Sequence, residues 1–282
     1  MRHGENVAHS PCNPQYGGLV DGIEIEHVQG ATLVIVRAVS DDFRTHVRER
    51  LAEYCYGATT VSEDTEFYSF EKTVAEFLER YDPKPRTTRL GMAGELIVHV
   101  LMPLLHVELK SAAVYFNKEE RSIKKGFDLT FLGPSESTVW YGEVKSGEVA
   151  SHSNSDEKAA SLIDSAASSL ASMLDDVTHL SRWDAALIDT RLTLEFGLAK
   201  TARELLRSDQ DTVRKGGALS KRVLLAGAVM HELSHCIVTT RGVEKIVESI
   251  ASINQFSETK ILVIQQDALE AVIEHLRELT NA

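Results

Sequence analysis

Three charged residues lie within two short apolar segments near the middle of the chain, and their types are those that activate water at a metal ion. Asp128 stands between two apolar residues, and Glu143 and Lys145 flank Val144. The composition of both segments predicts β-strands, in which residues i and i+2 point to the same face. Glu143 and Lys145 are therefore expected to project together. Buried charge is costly unless it is paired or bound to a metal, so these three groups need partners.

The chemistry that these residue types indicate is hydrolysis of a phosphodiester. Two carboxylates, Asp128 and Glu143, are oxygen ligands suited to Mg²⁺. A bound Mg²⁺ polarises the phosphodiester and lowers the pKa of its bound water. Lys145 can orient or deprotonate that water, or neutralise charge on the phosphate, and the Val144 carbonyl is a further candidate ligand. The alternative is a salt bridge between neighbouring strands, which is common and says little about function.

A third carboxylate precedes these strands. Residues 91–106 are apolar on nearly every side, which predicts a buried helix, and Glu95 is the only carboxylate among them. Glu95 is either stabilised by the positive end of that helix or serves as a further metal ligand. A helical Glu, then Asp128, then Glu143 and Lys145 is the order of the PD-(D/E)xK nuclease core.

The segments around these positions resemble HamA, the nuclease subunit family of the Hachiman anti-phage defence system. The resemblance covers residues 88–146 well and residues 260–279 more loosely, and it rests on Gly94-Glu95-Leu96, Lys125-Gly126-Phe127-Asp128 and Trp140-Tyr141-Gly142-Glu143-Val144-Lys145. It implies a PD-(D/E)xK nuclease-like α/β fold, a mixed β-sheet flanked by helices, that cleaves DNA with Mg²⁺ or Mn²⁺. It also implies a hetero-complex with a helicase, HamB. Carried across by motif, the metal and catalytic residues are Glu95, Asp128, Glu143 and Lys145.

Composition and length indicate a soluble enzyme. The chain has 282 residues, of which 43% are hydrophobic and 26% charged, as in ordinary globular proteins. We find no apolar run approaching the roughly 20 residues that cross a bilayer, and the N-terminus does not have the apolar core of a signal peptide. The three cysteines show no metal-ligand spacing. We therefore expect a cytoplasmic protein with no membrane partner.

The net charge of −12 is unusual for a protein that binds DNA unaided. Four basic residues do precede Asp128, either as DNA contacts or as a solvated loop edge: Lys118, Arg121, Lys124 and Lys125. The overall acidity predicts that a partner delivers the DNA and that the chain alone cleaves it poorly.

The pattern of elements predicts an α/β fold with a mixed sheet. We expect a flexible arm over residues 1–20 and a single nuclease-like domain over 21–282, comprising an N-terminal helical part (21–87), a catalytic core (88–146) and a helical part with a closing strand and helix (147–282). Besides the two strands of the site, strands are predicted at 23–27, 31–38, 111–117, 222–229 and 260–265. Helices are predicted at 40–56, 62–81, 91–106, 156–180, 183–206, 243–253 and 268–279, and polar loops at 146–155 and 208–217.

A competing motif predicts a different enzyme. His231-Glu232-Leu233-Ser234-His235 fits the His-Glu-x-x-His pattern of zinc metalloproteases, with Glu232 as general base and a third ligand from Glu244, Glu248 or Glu258. That site requires both histidines on one helix. Residues 223–230 are instead typical of a buried strand ending at His231, which favours incidental histidines. A third hypothesis is a non-catalytic regulatory subunit, against which stands the presence of all four candidate groups.

Overall fold

The computed structural model describes residues 21–116, 126–150, 153–266 and 269–280, and the expected arm over 1–20 lies outside this part. Its strands form one mixed sheet, which confirms the predicted α/β fold. The strands are β1 (Ile23–Val28), β2 (Ala31–Val36), β3 (Lys110–Ser111), β4 (Leu129–Leu132), β5 (Val139–Glu148), β6 (Arg222–Met230) and β7 (Glu258–Gln266). Their order across the sheet is β1-β2-β7-β6-β5-β4-β3.

The four central strands, β2, β7, β6 and β5, run parallel to one another, whereas the flanking pairs are antiparallel. Parallel strands are covered on both faces and therefore read as continuous apolar runs. Strand β6 follows this rule, since every residue from Val223 to Met230 is buried. This rigid centre holds β5, the strand that carries Glu143 and Lys145.

Helices cover both faces of the sheet. In the described part they are α1 (Asp41–Tyr56), α2 (Ala58–Glu63), α3 (Phe70–Tyr81), α4 (Arg86–Leu105), α5 (Ser155–Asp175), α6 (Ser181–Thr193), α7 (Phe196–Arg214), α8 (Thr240–Ile253) and α9 (Leu269–Thr280). Helices α1, α3, α4 and α9 pack in one apolar cluster with Trp140 and Val144 of β5. Helices α5, α6, α7 and α8 pack in a second cluster with Val139 and Tyr141. Strand β5 therefore presents alternate residues to two different layers.

The first N-terminal helix begins at the predicted cap. The second predicted helix is interrupted where the sequence predicts no break. Ser40 caps α1 by accepting a hydrogen bond from the Phe43 N–H at 3.1 Å. The helix predicted for 62–81 is wrong, because α2 ends at Glu63 and α3 starts after Ser69. Between them, the Asp64 carboxylate accepts the backbone N–H of Phe67 at 2.9 Å, which stabilises a turn in place of a helix.

Three further boundaries differ from the prediction. Residues 146–148 continue β5, because they pair with residues 228–230 of β6. The helix predicted for 183–206 is two helices separated at Leu194, whose side chain is buried, and α7 runs on to Arg214 through part of the predicted 208–217 loop. The strand predicted for 111–117 is wrong over 112–116, since β3 comprises only Lys110 and Ser111, and residue 117 lies outside the described part.

Helix α4 is 20 residues long with a mean hydropathy of 1.3, so by length and composition alone it could cross a membrane. The prediction that no apolar run approaches the roughly 20 residues needed to cross a bilayer is therefore wrong by these criteria. However, 61% of that window is buried inside the protein, and the core helix of a soluble protein passes the same test. The cytoplasmic location stays a prediction.

Candidate active site

Asp128 is fixed at the point where β4 begins. Strand β4 starts at Leu129, which pairs with Gly142, so Asp128 precedes the strand and does not lie within it as expected. Its Oδ2 accepts the backbone N–H of Val144 at 3.0 Å. The Asp128 side chain thereby takes the place of a backbone carbonyl that would otherwise accept the Val144 N–H from the neighbouring strand. This hydrogen bond holds the carboxylate beside β5.

Glu143 and Lys145 point to the same face of β5, as predicted. The Lys145 Nζ donates to Glu143 Oε1 at 2.6 Å, and the Ser169 hydroxyl of α5 donates to the same oxygen at 3.0 Å. Glu143 is only 5% exposed, whereas the Lys145 side chain is 32% exposed. The acid is thus buried under α5, and the ammonium group lies between it and solvent. Ser169 is one of many serines in a helical segment, and no feature of the sequence distinguishes it.

The electrostatics of this pair are unbalanced. The pKa of Glu143 is raised to about 7: burial is the largest cause and the negative charge of Asp128 adds to it, while the hydrogen bond and charge of Lys145 oppose the shift. The positive charge of one partly exposed lysine therefore does not balance the negative charges of two neighbouring carboxylates. A hard divalent cation would, and Mg²⁺ is commonly held by only one or two protein carboxylates. The oxygen donors present fit such an ion.

Glu95 lies on the other side of the sheet from this pair. Its helix, α4, packs on the face of β5 that carries Val144, whereas Glu143 bonds to α5. The Glu95 Oε1 is 3.9 Å from His99 Nε2. Burial and then the charge of Glu95 raise the pKa of Tyr115. The structure brings Asp128, Glu143 and Lys145 together and separates Glu95 from Glu143 by the thickness of the sheet.

The residue before Glu95 controls how closely α4 approaches β5. A Cβ at Gly94 would stand 1.9 Å from the Ser146 hydroxyl and 3.0 Å from the Ala228 side chain. These distances leave no room for a side chain at position 94. The α4 backbone at Gly94 therefore lies directly against the Ser146 side chain of β5. Gly94 therefore sets the position of Glu95 relative to the strand.

A second lysine, Lys158 on α5, lies beside the site and was not predicted. A Cβ at Gly147 would stand 2.7 Å from its Nζ, which places the ammonium directly over Gly147. Gly147 follows Lys145 by two residues and so faces the same layer. Arg86 chiefly lowers the pKa of Glu148, and Lys158 contributes to the shift. Two cations thus follow Glu143 along one face of β5, a placement that depends on α5 and is invisible in the sequence.

Comparison with known proteins gives the family. A family model described as HamA matches residues 21–279, nearly the whole chain. The chain belongs to the HamA family. The resemblance noted for residues 88–146 is thus confirmed and extends on both sides, and it places the protein in Hachiman anti-phage defence. No curated protein matches the chain.

In this HamA-family chain, residues 231–239 form no helix after β6 ends. The His231 N–H donates to the Gln266 carbonyl at 3.0 Å, and the His235 Nδ1 is 2.9 Å from Glu232 Oε2. The favoured prediction, a strand ending at His231, is correct, and the helical spacing that the zinc site requires is not present. No group of three or more His, Cys, Asp or Glu side chains that could hold one metal ion occurs in the described ranges. Glu244, Glu248 and Glu258, the candidate third zinc ligands, therefore belong to no such group.

The four basic residues proposed as DNA contacts of this HamA-family chain, Lys118, Arg121, Lys124 and Lys125, lie outside the described residues. Their role stays a prediction. Gly126, the first described residue after them, packs near Ala185, since a Cβ there would stand 3.4 Å from that side chain.

Proposed function

We propose that this HamA-family protein is a metal-dependent DNase that hydrolyses phosphodiester bonds at Asp128, Glu143 and Lys145. The observation that carries the proposal is the convergence of these three groups on the middle of β5, with the acid buried and the cation partly exposed. Asp128 and Glu143 would hold Mg²⁺ or Mn²⁺. When bound, the ion polarises the phosphodiester and lowers the pKa of its bound water.

The backbone of Val144 supports the same assignment. In a strand, the N–H and C=O of one residue point to the same edge. The Val144 N–H points to Asp128, so its carbonyl also points towards that side of β5. This orientation makes the Val144 carbonyl a candidate third oxygen ligand beside the two carboxylates.

Each side chain then has a distinct role. Lys145, partly exposed, positions the attacking water or neutralises charge that develops on the phosphate. Ser169 fixes the orientation of the Glu143 carboxylate through its hydrogen bond. Glu95, on α4, lies across the sheet from Glu143, so we assign it an indirect role through the packing of α4 on β5 in place of the metal ligation that the motif implies.

We further propose that a HamB-like helicase partner delivers the DNA and controls cleavage. The support is the family, which belongs to a defence system, together with the net charge of −12. A chain with 42 acidic and 30 basic residues is repelled by DNA at long range, so weak unaided cleavage is expected.

Plasmid degradation in Mg²⁺ or Mn²⁺ tests the activity, first with the chain alone and then with the helicase added. We expect Glu143→Ala and Lys145→Ala each to lower the rate by roughly 10²- to 10³-fold, as loss of one stabilising group in an active site does. Glu148→Ala is the matched control, since this glutamate is on the same strand but exposed and paired with Arg86.

Unchanged cleavage in the Glu143 and Lys145 variants would reject the assigned site. A wild-type chain that cleaves no DNA with or without the helicase would instead favour the non-catalytic regulatory subunit.

A further inference from the structure

One flank of α7 carries a row of exposed and partly exposed side chains that nothing in the proposed active site uses. Phe196, Lys200, Arg203 and Arg207 follow one another at offsets of 4, 3 and 4 residues, which places them on a single helix face. Arg191, from the last turn of α6, lies close enough to influence Arg203. We call these five residues the α7 stripe.

The cations of the α7 stripe form no close ion pair with the described residues. Elsewhere, basic side chains pair across the surface, as Arg37 does with Glu24 and Arg222 with Glu258. Across the described part of the chain, no ion pair within 4.0 Å is made by the four stripe cations, Arg191, Lys200, Arg203 and Arg207. In a chain whose acidic residues outnumber basic ones by 42 to 30, such a cluster runs against the overall composition.

The positive charges of the stripe act on one another. Desolvation lowers the pKa of Arg203, and the positive charges of Arg191 and Arg207 lower it further, while Glu204 opposes them. Like charges held this close destabilise the protein slightly, and a polyanion that binds them removes the cost. At the start of the row, Phe196 is 87% exposed. An aromatic ring with that exposure buries almost no apolar surface in the folded protein.

We propose that the α7 stripe binds a single strand of DNA, with phosphates on the arginines and lysine and a base stacked on Phe196. Proteins that hold single strands combine a cationic track with exposed aromatic rings in this way. From Phe196 to Arg207 the helix advances roughly 17 Å, enough for a few nucleotides. The DNA identity of the strand rests on the proposed nuclease function, whereas binding to the stripe does not require cleavage.

The stripe is held in a fixed position relative to the candidate active site. Another face of α7 carries Asp209, which accepts a hydrogen bond from the Tyr141 hydroxyl at 2.7 Å. Tyr141 is fully buried and precedes Glu143 by two residues on the same face of β5. A strand bound along α7 therefore lies on the α5 side of the sheet, the side to which Glu143 and Lys145 point.

An acidic protein is the competing occupant, and two features favour nucleic acid. The cations repeat at helical intervals along one line, which suits a polymer with evenly spaced charges. The exposed ring of Phe196 stands at the end of that line beside Gly197, where an added Cβ would meet no atom within 4 Å. A base can stack there without a matching apolar surface.

Binding of a fluorescent oligo-dT to the full chain in EDTA, followed by anisotropy at several salt concentrations, tests the proposal without cleavage. We expect the double variant Arg203→Gln/Arg207→Gln to bind at least tenfold more weakly, with a slope of log K against log salt smaller by about 1.4. The matched control is Arg241→Gln/Lys245→Gln, which removes two exposed cations from α8. It should bind like the wild type.

Phe196→Ala gives a second, chemically different readout. Loss of one stacked base should weaken binding to oligo-dT roughly tenfold and leave binding to a duplex of equal length unchanged. Equal affinities for the stripe variant and the α8 control would overturn the proposal. So would displacement of oligo-dT by poly-glutamate as effectively as by unlabelled oligo-dT, which would assign the stripe to an acidic polypeptide. Because the assay is made in EDTA and measures binding without cleavage, failure of the nuclease assignment would not affect this result.

Discussion

The two faces of strand β5 have opposite characters. Towards α4, the strand presents Trp140 and Val144 to a large apolar cluster and brings Ser146 against Gly94. Towards α5, it presents Glu143 and Lys145. Helix α5 covers that face with small and large side chains, since its buried residues include four alanines (Ala159, Ala166, Ala167 and Ala171) beside Leu162, Ile163, Leu170 and Leu174. One strand thus stabilises the fold through one face and carries a polar site on the other.

This difference shows why a charged row is tolerated at the centre of the molecule. The α4 face gains burial of large apolar groups, which is the main favourable term in folding. The α5 face tolerates a buried acid because Ser169 and Lys145 both bond to it. Substitutions on the two faces should therefore have different kinds of effect.

The largest difference expected between substitutions on the two faces is in the rate of DNA cleavage. Glu143→Gln should lower the cleavage rate by roughly 10³-fold, because it removes a metal ligand of the α5 face. Glu95→Gln should lower it only about tenfold, because Glu95 stands on the α4 side and assists indirectly. Single-turnover rates at saturating Mg²⁺ measure both. Equal losses would show that the two faces contribute ligands to one ion, and the contrast would fail.

The next effect concerns pH and the stability of the metal-free protein. The pKa of Glu143 in the folded state, about 7, lies above its ordinary value of 4.5. The folded state therefore retains a proton that the unfolded state releases, so stability falls as pH rises from 4.5 to 7. Between pH 5 and 8 this term approaches about 3 kcal/mol. Urea unfolding in EDTA should show Glu143→Gln gaining stability relative to the wild type over that range.

Glu148 provides the opposite case on the same strand. Its hydrogen bond and charge interaction with Arg86 lower its pKa, so its contribution to stability is present at neutral pH and is lost as pH falls. Glu148→Gln should therefore lose stability relative to the wild type at pH 8 and less at low pH. Parallel pH trends in the two variants would contradict the assigned cause.

A smaller effect on stability is expected from adding a methyl group at the close contact between α4 and β5. Gly94→Ala should destabilise the protein by about 2 kcal/mol, because the new methyl group overlaps Ser146. Gly91→Ala on the same helix meets no atom within 4 Å and should stabilise by up to about 1 kcal/mol. Adding Ser146→Gly to Gly94→Ala should recover part of the loss. Without that recovery, the crowding assigned to Ser146 would be wrong.

The smallest effect is expected at the competing motif. His231→Ala and His235→Ala should change the free energy of unfolding by less than about 0.5 kcal/mol, as surface substitutions usually do. Cleavage should also be unchanged, because residues 231–239 form no helix and present no zinc site. Elemental analysis of the purified protein checks the same point. Stoichiometric zinc lost with His231→Ala would revive the protease hypothesis.

The sequence predicted those features that depend on nearby residues. Strand alternation placed Glu143 and Lys145 on one face, and Ser40 marked the start of α1. Features set by distant partners were not predictable. Residues 146–148 look like a polar loop, but pairing with β6 makes them a strand. The bond from Ser169 to Glu143 and the approach of α4 at Gly94 depend on how helices pack on the finished sheet.

The order of the strands has a consequence for synthesis of the chain. Strand β7 is the last to be made, yet it lies between β2 and β6 and pairs with both along its length. While residue 266 remains in the ribosome, β2 and β6 each keep an unpaired edge. Ribosomes add roughly 5–20 residues per second, so the edge of β6 persists for several seconds and the edge of β2, which is made much earlier, for tens of seconds. A chaperone that shields exposed strand edges should therefore associate with the nascent chain until β7 emerges and joins the two halves of the sheet.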